Sequence, residues 1–229
     1  MKINYGELKE STLFTGIAEK DLKNLIECID PKIRTIKSGA FVFRAGDNIR
    51  SVYFILTGSM HIVDEDFLGN NFIVETMRSG VLFGEAYVFS SLQNYLVSVT
   101  AAEDSVILEM NPSSLFETCT KGCQHHSTLV RNALHIVAEK IVLLTAKIGH
   151  ITRRTIREKL LSYLTKCSQI EKNNSFYIPY SRQQLADYLC VDRSALSHEL
   201  SRLKKQGLIH YHKNYFELLD EESNHKHNM

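Results

Sequence analysis

Residues 181–206 carry two helical patterns that are separated by only three residues, Cys190-Val191-Asp192. Ser181 is a favoured N-cap for the first helix, and Asp192 can cap the second. Apolar residues recur at helical spacing in both segments; they are Leu185, Ala186 and Leu189 in the first and Leu196, Leu200 and Leu203 in the second. Two amphipathic helices joined by so short a turn predict a helix-turn-helix.

The outer face of the second helix is polar, and Arg193 stands at its exposed start. The polar stripe consists of Ser194, Ser197, His198, Ser201 and Lys205. A short helix with an arginine and hydroxyl groups in its first turns fits the major groove of double-stranded DNA. Gly207 then ends the helix, and residues 210–219 resemble two short strands around Lys213-Asn214. The pattern predicts a winged helix-turn-helix rather than an ordinary helical hairpin in a core.

Charge is distributed unevenly along the chain, although the net charge is only +1. Residues 151–229 carry 13 Lys and Arg against 9 Asp and Glu, whereas residues 1–150 carry 14 against 17. The positive excess therefore coincides with the predicted helix-turn-helix, as phosphate binding requires. Arg182, Arg202 and Lys213 are candidates for phosphate contacts; each could equally be a solvated surface charge.

Residues 32–110 show a different pattern, in which short runs of Val, Ile, Phe and Tyr alternate with glycine-marked turns. The six runs are residues 40–44, 51–56, 60–63, 72–77, 96–100 and 105–108. Many short strands at regular spacing predict a β-barrel or roll. Helical spacing precedes this region at residues 6–29 and returns at residues 127–165.

The long helical segment carries an unbroken repeat of 3.5 residues. Its members are Val130, Leu134, Val137, Ile141, Leu144, Ile148 and Ile151. One helix that buries a single stripe in its own domain could produce this over two heptads, but three heptads favour a partner helix. The same helix of a second copy is the obvious partner, which predicts a homodimer. A dimer suits a helix-turn-helix because two half-sites can then be read together.

Several classes of protein fit this sequence poorly. The N-terminus lacks the apolar region of a secretory signal, and no apolar run approaches the length of a membrane span. Five cysteines without disulfide-framework spacing indicate a cytoplasmic protein with reduced thiols. Cys28, Cys167 and Cys190 are expected to be small core residues. No phosphate loop, nucleophile elbow or established metal motif indicates an enzyme.

The order of these elements resembles the cAMP receptor protein / FNR (Crp/Fnr) family of bacterial transcription regulators, over about Leu13 to Leu219. The motifs that carry the resemblance are Tyr53-Phe54-Ile55-Leu56-Thr57-Gly58-Ser59, Phe83-Gly84-Glu85 and the helix-turn-helix from Ser181 through Ile209. The resemblance implies an α+β protein with a cyclic-nucleotide-binding-like β-roll (jelly-roll), a long dimerisation helix and a C-terminal winged helix-turn-helix. The corresponding domains are residues 1–125, 126–150 and 151–229.

The resemblance also implies a mechanism. A small-molecule effector in the β-roll reorients two DNA-binding domains through the paired helices, and the dimer binds a palindromic promoter site and contacts RNA polymerase. In the second helix, many members present Glu and Arg to bases where this chain has Ser194 and His198; Arg193 and Ser197 keep the pattern. The DNA-contact candidates are Arg182, Arg193, Ser194, Ser197, His198, Ser201, Arg202 and Lys213.

The predicted effector site departs from the cyclic-nucleotide pattern. Gly84-Glu85 is present, but Tyr95 and Leu96 occupy the positions of the family's Arg and small hydroxyl residue. No Lys or Arg occurs between Arg78 and Lys121, whereas a buried cyclic phosphate needs a compensating cation. The site is therefore expected to take a more apolar or aromatic effector, through Gly84, Glu85, Tyr87, Phe89 and Tyr95; Gly84-Glu85 could equally be a structural turn.

Two alternatives to an effector-controlled regulator stay open. The group Cys119, Cys123, His125 and His126 could act as a redox or metal sensor, although its spacing matches no established metal signature. Iron–sulfur sensing is not indicated, because Cys28 is the only cysteine near the N-terminus. The other alternative is a regulatory ligand-binding subunit whose C-terminal domain contacts a protein rather than DNA. The sequence indicates no particular cofactor.

Overall fold

A computed structural model describes residues 4–68, 71–116 and 124–219. The chain divides into two compact units, one up to Glu139 and one from Lys140 onward. The domain boundaries drawn from the sequence stay predictions. No helix in the described part of the chain is long and apolar enough to cross a membrane.

The first unit begins with three short helical pieces rather than one continuous helix. They are α1 (Tyr5–Lys9), a 3-10 turn (Thr12–Phe14) and α2 (Glu19–Ile29). Asn4 caps α1, because its side chain accepts a hydrogen bond from the Gly6 amide. Helix α2 ends at Asp30, which takes the left-handed conformation. The apolar spacing predicted here is confirmed, since Leu22, Leu25, Ile26 and Ile29 are all buried.

The β-roll consists of two four-stranded antiparallel sheets. The first has the order β1-β8-β3-β6 and the second the order β2-β7-β4-β5. The strands are β1 (Lys32–Ile36), β2 (Phe41–Phe43), β3 (Val52–Thr57), β4 (Ser59–Glu65), β5 (Asn71–Arg78), β6 (Leu82–Phe83), β7 (Ser98–Ala101) and β8 (Ser105–Met110). Two short helices, α3 (Glu85–Val88) and α4 (Pro112–Phe116), follow β6 and β8. The roll predicted from the spacing of apolar runs is confirmed.

Strand β1 was not among the predicted runs, because its sequence is mostly polar. It forms by pairing with β8 in the register Lys32↔Glu109 to Ile36↔Ser105. Gly58, between β3 and β4, has a φ of +86°, and a Cβ there would lie 2.7 Å from the Ser105 Cβ. This close approach requires glycine at the turn. Apolar side chains fill both the roll interior and the space between its first sheet and the N-terminal helices.

Helix α5 (Gln124–Ile151) leads into the second unit, which contains three further helices and a three-stranded sheet of order β10-β11-β9. The elements are α6 (Ile156–Glu171), β9 (Ser175–Tyr177), α7 (Arg182–Tyr188), α8 (Arg193–Lys205), β10 (Ile209–His212) and β11 (Tyr215–Leu218). Capping boxes start α6 at Thr155 and α7 at Ser181. The predicted helix-turn-helix and its wing are confirmed; β9, which adds a third strand to the wing, was not predicted.

Candidate functional site

The turn between α7 and α8 fixes the start of the polar helix. Asp192 accepts hydrogen bonds from the Ser194 and Ala195 amides at 2.8 and 2.9 Å, and also from the Ser194 hydroxyl. These bonds, the hydroxyl bond first, hold the pKa of Asp192 below its usual value. Cys190, expected to be a core residue, is instead exposed and has a φ of +52°. The tight turn needs a left-handed residue here, which directs the side chain outward.

Serine hydroxyls on the exposed face of α8 donate within the helix rather than outward. Ser197 Oγ donates to the Arg193 carbonyl at 2.9 Å, and Ser201 Oγ donates to the Ser197 carbonyl at 3.0 Å. Each hydroxyl oxygen is therefore left mainly as an acceptor for any partner on this face. Arg193 and His198 are exposed on this helix, and their side chains have the donors that guanine edges require.

Arg202, predicted to contact phosphate, is ion-paired at the edge of the helix. Its Nη1 atom lies 3.6 Å from Glu199 Oε2, and Arg157 Nη1 lies 3.5 Å from Glu199 Oε1. Glu199 is only 8% exposed. Sequence reasoning missed both Glu199 and Arg157, although a carboxylate within the apolar stripe Leu196, Leu200 and Leu203 was a usable signal. The ion pair between Glu199 and Arg157 joins α8 to α6.

The wing turn is held against the start of α7 by Arg182. Its Nη2 atom donates to the Lys213 carbonyl at 3.2 Å, and its guanidinium lies over the rings of Tyr211 and Phe216 at 5.2 and 5.7 Å. Burial lowers the pKa of Arg182. Lys213 takes a left-handed conformation with a φ of +54° and is exposed. The arrangement assigns Arg182 mainly to bracing the wing and leaves Lys213 facing solvent.

In the β-roll, Gly84 and Glu85 form the turn that starts α3. Gly84 has a φ of +83°, and a Cβ there would lie 3.2 Å from both the Ser51 carbonyl oxygen and a Tyr53 ring carbon. Glu85 is 4% exposed. Phe89, by contrast, is 62% exposed. The five predicted effector residues are therefore not equally placed, since Phe89 faces solvent.

Tyr95 lies inside the roll, at the position where the family's phosphate-binding Arg was expected. Its ring stacks on Phe43 with 3.7 Å between centroids and meets Tyr87 edge-on at 5.2 Å. Tyr53 stacks on Phe83 at 5.1 Å and tilts against Phe43 at 5.6 Å. Burial raises the pKa of Tyr53, Tyr87 and Tyr95. The interior is thus an aromatic stack of neutral phenols.

Helix α5 carries two apolar stripes with different surroundings. Leu129 and Ala133 are buried in the core of the first unit. The predicted pairing stripe contains Leu134, Ile141, Leu144 and Ile148, which are 64, 59, 59 and 56% exposed; Val130, Val137 and Ile151 on the same stripe are half-buried. A helix with one stripe packed in its own domain and a second, heptad-spaced stripe in solvent is suited to a coiled coil.

The cysteine–histidine group is only partly covered by the structure. Cys119 and Cys123 lie outside the described residues. His125 Nε2 lies 3.5 Å from Asp21 Oδ2, and His126 is 5% exposed with both ring nitrogens lacking a hydrogen-bond partner among the described residues. Within residues 4–68, 71–116 and 124–219, no group of three or more His, Cys, Asp or Glu could hold a metal ion.

Two protein families match this chain. The family described as "Cyclic nucleotide-binding domain" matches residues 33–121, which is the β-roll. The family described as "Crp-like helix-turn-helix domain" matches residues 158–223, which include α6, α7, α8 and the wing. The two matches follow one another in the order that the sequence predicted.

Similar proteins match across both units. "cAMP-activated global transcriptional regulator Vfr" of Pseudomonas aeruginosa is 25% identical over 177 residues, covering 74% of this chain and 80% of Vfr. "Regulatory protein HlyX" of Actinobacillus pleuropneumoniae is 24% identical over 203 residues, covering 84% of this chain and 80% of HlyX. The solved structure of CLP from Xanthomonas campestris, described as a "c-di-GMP Responsive Global Regulator", has a TM-score of 0.54 at 18% identity and covers 89% of this chain and 100% of CLP. This last likeness is one of fold.

Proposed function

Because this chain belongs to the Crp/Fnr family of DNA-binding transcription regulators, we propose that it acts as a homodimer that binds a palindromic promoter site under the control of a small effector. The observation that carries the proposal is the exposed heptad stripe of α5. Leu134, Ile141, Leu144 and Ile148 are each more than half exposed in a single copy. Pairing with a second α5 would bury them, at roughly 25 cal/mol for each Å² of apolar surface removed from water.

Dimerisation explains how a short polar helix could select a promoter. One α8 has few base-reading groups, chiefly Arg193 and His198 on its exposed face. Two copies related by a twofold axis would present two such helices to successive major grooves about one DNA turn apart. Palindromic sites follow from this symmetry. Contact with RNA polymerase is part of the proposal through the family resemblance alone.

The effector is proposed to bind the β-roll without the usual cyclic-phosphate contacts. Tyr95 occupies the interior and stacks on Phe43, and no Lys or Arg occurs between Arg78 and Lys121. A cyclic phosphate placed there would lack a cation to offset its desolvation. Vfr is named for activation by cAMP and CLP for its response to c-di-GMP. This chain is proposed to take an apolar or aromatic effector instead, which calorimetry showing tight 1:1 cAMP binding per subunit would exclude.

One observation favours a second candidate, a redox- or metal-sensing regulator on the same frame. His126 is buried, and neither of its ring nitrogens has a hydrogen-bond partner among the described residues. Such a side chain is costly unless it binds something. Purification without oxygen followed by metal analysis would test it. A stoichiometric metal that is lost in His126→Leu would support this candidate, and metal-free protein with full DNA binding would remove its metal-sensing form.

The experiment that tests the main proposal changes the α5 stripe and measures both assembly and DNA binding. The double variant Ile141→Asp, Leu144→Asp should sediment as a monomer and lose affinity for a selected promoter site. Val142→Asp is the matched control, because Val142 is 65% exposed on the same helix but lies off the stripe. A double variant that stays dimeric, or a monomer that binds the site as tightly as the wild type, would contradict the proposal.

A further inference from the structure

A polar cleft opens on the first unit, beside the end of α2 and the strands β1, β3 and β8. It has a volume of about 590 Å³, within the range of small-molecule sites. Its lining includes Asp30, Lys32, Arg50, Ser51, Glu109 and Asn111. None of the five predicted effector residues lines it, so the cleft is distinct from the effector site proposed above.

The charged residues that line the cleft differ in whether they already have an ion-pair partner. Glu109 is engaged, because its Oε2 accepts from Arg34 Nη1 at 3.0 Å and its Oε1 accepts from the Ser51 hydroxyl at 3.0 Å. Lys32 and Arg50, in contrast, form no ion pair with any residue in the described ranges. Two cations facing one concave surface without a partner form a natural oxyanion site.

Hydrogen-bonding groups that line the same cleft narrow the class of ligand that it would accept. The Asn111 side-chain oxygen is used by the Ser113 amide at 2.9 Å, which leaves the Asn111 NH₂ group available as a donor. Asp30 also lines the cleft, and its carboxylate can accept a hydrogen bond. A ligand that offers an acid group to the cations and a hydroxyl group to Asp30 would match both.

We propose that this cleft binds a small hydroxylated organic acid, with its carboxylate or phosphate between Lys32 and Arg50 and its hydroxyl group toward Asp30. The site is connected to the roll interior through Ser51, which is 7% exposed. The Ser51 carbonyl accepts a hydrogen bond from Tyr95 Oη at 3.3 Å. An occupied cleft therefore bears directly on the residue that anchors the aromatic stack.

Cys28 supplies a readout that needs no DNA, since this partly exposed residue lines the cleft. The full-length protein would be alkylated with iodoacetamide in the presence of L-malate, succinate, glycerol 3-phosphate or inorganic phosphate, and each cysteine followed by peptide mass spectrometry. L-malate or glycerol 3-phosphate should slow alkylation of Cys28 saturably and leave Cys190 unchanged. Malate should protect more strongly than succinate, because succinate lacks the hydroxyl group. Protection by phosphate alone would show a bare anion site and overturn the proposal.

Charge-neutral variants complete the test. Arg50→Gln should raise the half-protecting concentration about tenfold, the usual scale for one charge-assisted contact. Lys20→Gln is the control, because Lys20 is exposed on α2, does not line the cleft and changes net charge equally. The proposal would be overturned if the acids protected Cys28 equally in the Arg50→Gln and Lys20→Gln variants. It would also be overturned if no acid protected Cys28 in the wild type. The alkylation experiment does not involve DNA. Its failure would therefore leave the promoter-binding proposal standing.

Discussion

Arg157 on α6 lies with its Nη1 atom 3.5 Å from the Oε1 atom of Glu199 on α8. The glutamate is buried, and Arg157 also donates to Gln206 Oε1 at 2.5 Å. Helix α8, which carries the predicted base contacts, is thereby attached to α6. The ion pair therefore has a structural role in the helix that is predicted to contact DNA bases.

Removing Glu199 should destabilise the protein through this pair. Glu199→Ala is expected to lower the free energy of unfolding by about 1–2 kcal/mol, less than for a fully buried pair because the arginine is partly exposed. Urea unfolding of Glu199→Ala, Arg157→Ala and the double variant would give the coupling energy. Additive losses from the two single variants would show that the pair does not interact.

Arg182 and Lys213 should affect DNA binding in different ways. Arg182→Lys keeps the charge but loses the stack on Tyr211 and the bond to the Lys213 carbonyl, so affinity should fall because the wing is loosened. Lys213→Gln should weaken binding for all sequences and reduce the salt slope by about 1. The measurement is DNA titration at several salt concentrations. Wild-type affinity in the Arg182→Lys variant would show that the brace is dispensable.

Arg193 is predicted to read a base. Arg193→Ala should cost about 1–3 kcal/mol at the preferred site and relax specificity at one base pair in each half-site. Selection of bound sequences from a random pool, followed by titration of the selected site, would measure both effects. Affinity and preferred site that stay the same would remove Arg193 from base recognition.

Cys190 is held in the left-handed region with a φ of +52°. Glycine avoids the steric cost of that conformation, so Cys190→Gly should raise the free energy of unfolding by about 0.5–1 kcal/mol. Cys190→Ala is the control, because alanine keeps the Cβ and the strain. Thermal unfolding of the three proteins checks this, and a glycine variant less stable than the alanine variant would contradict it.

His150 should make stability fall in mild acid. The side chain is 5% exposed, and its Nδ1 lies 2.9 Å from Ser162 Oγ. Burial lowers the pKa of His150 below 6.5, and the positive charges of Arg153 and Lys166 lower it further. Below pH 6.5, His150 in the unfolded chain binds a proton more readily than His150 in the folded protein. The free energy of unfolding is therefore highest above pH 6.5 and declines as the pH falls toward the lowered pKa of the folded state. Urea unfolding between about pH 7.5 and 5 should show a flatter profile for His150→Gln; identical profiles would exclude this role.

Much of the candidate site followed from residue patterns because those patterns report local geometry. Ser181 and Asp192 cap α7 and α8 as predicted, and Leu196, Leu200 and Leu203 are buried as their spacing required. The wing strands around Lys213-Asn214 also formed where expected. Strands β1, β6 and β9 were missed. Strand β1 is mostly polar, β6 and β9 are only two and three residues long, and the partners of all three are distant in sequence.

The sequence by itself determined the helix-turn-helix, the presence of a roll and the heptad stripe of α5, because each leaves a periodic pattern of apolar residues within its own segments. Only the tertiary structure decided that Arg182 braces the wing, that Glu199 pairs with Arg157, and that Tyr95 stacks on Phe43. These contacts join residues that lie far apart along the chain, and spacing within one segment carries no information about them. Whether a charged or aromatic side chain faces a ligand or another side chain is settled by the packing of distant segments.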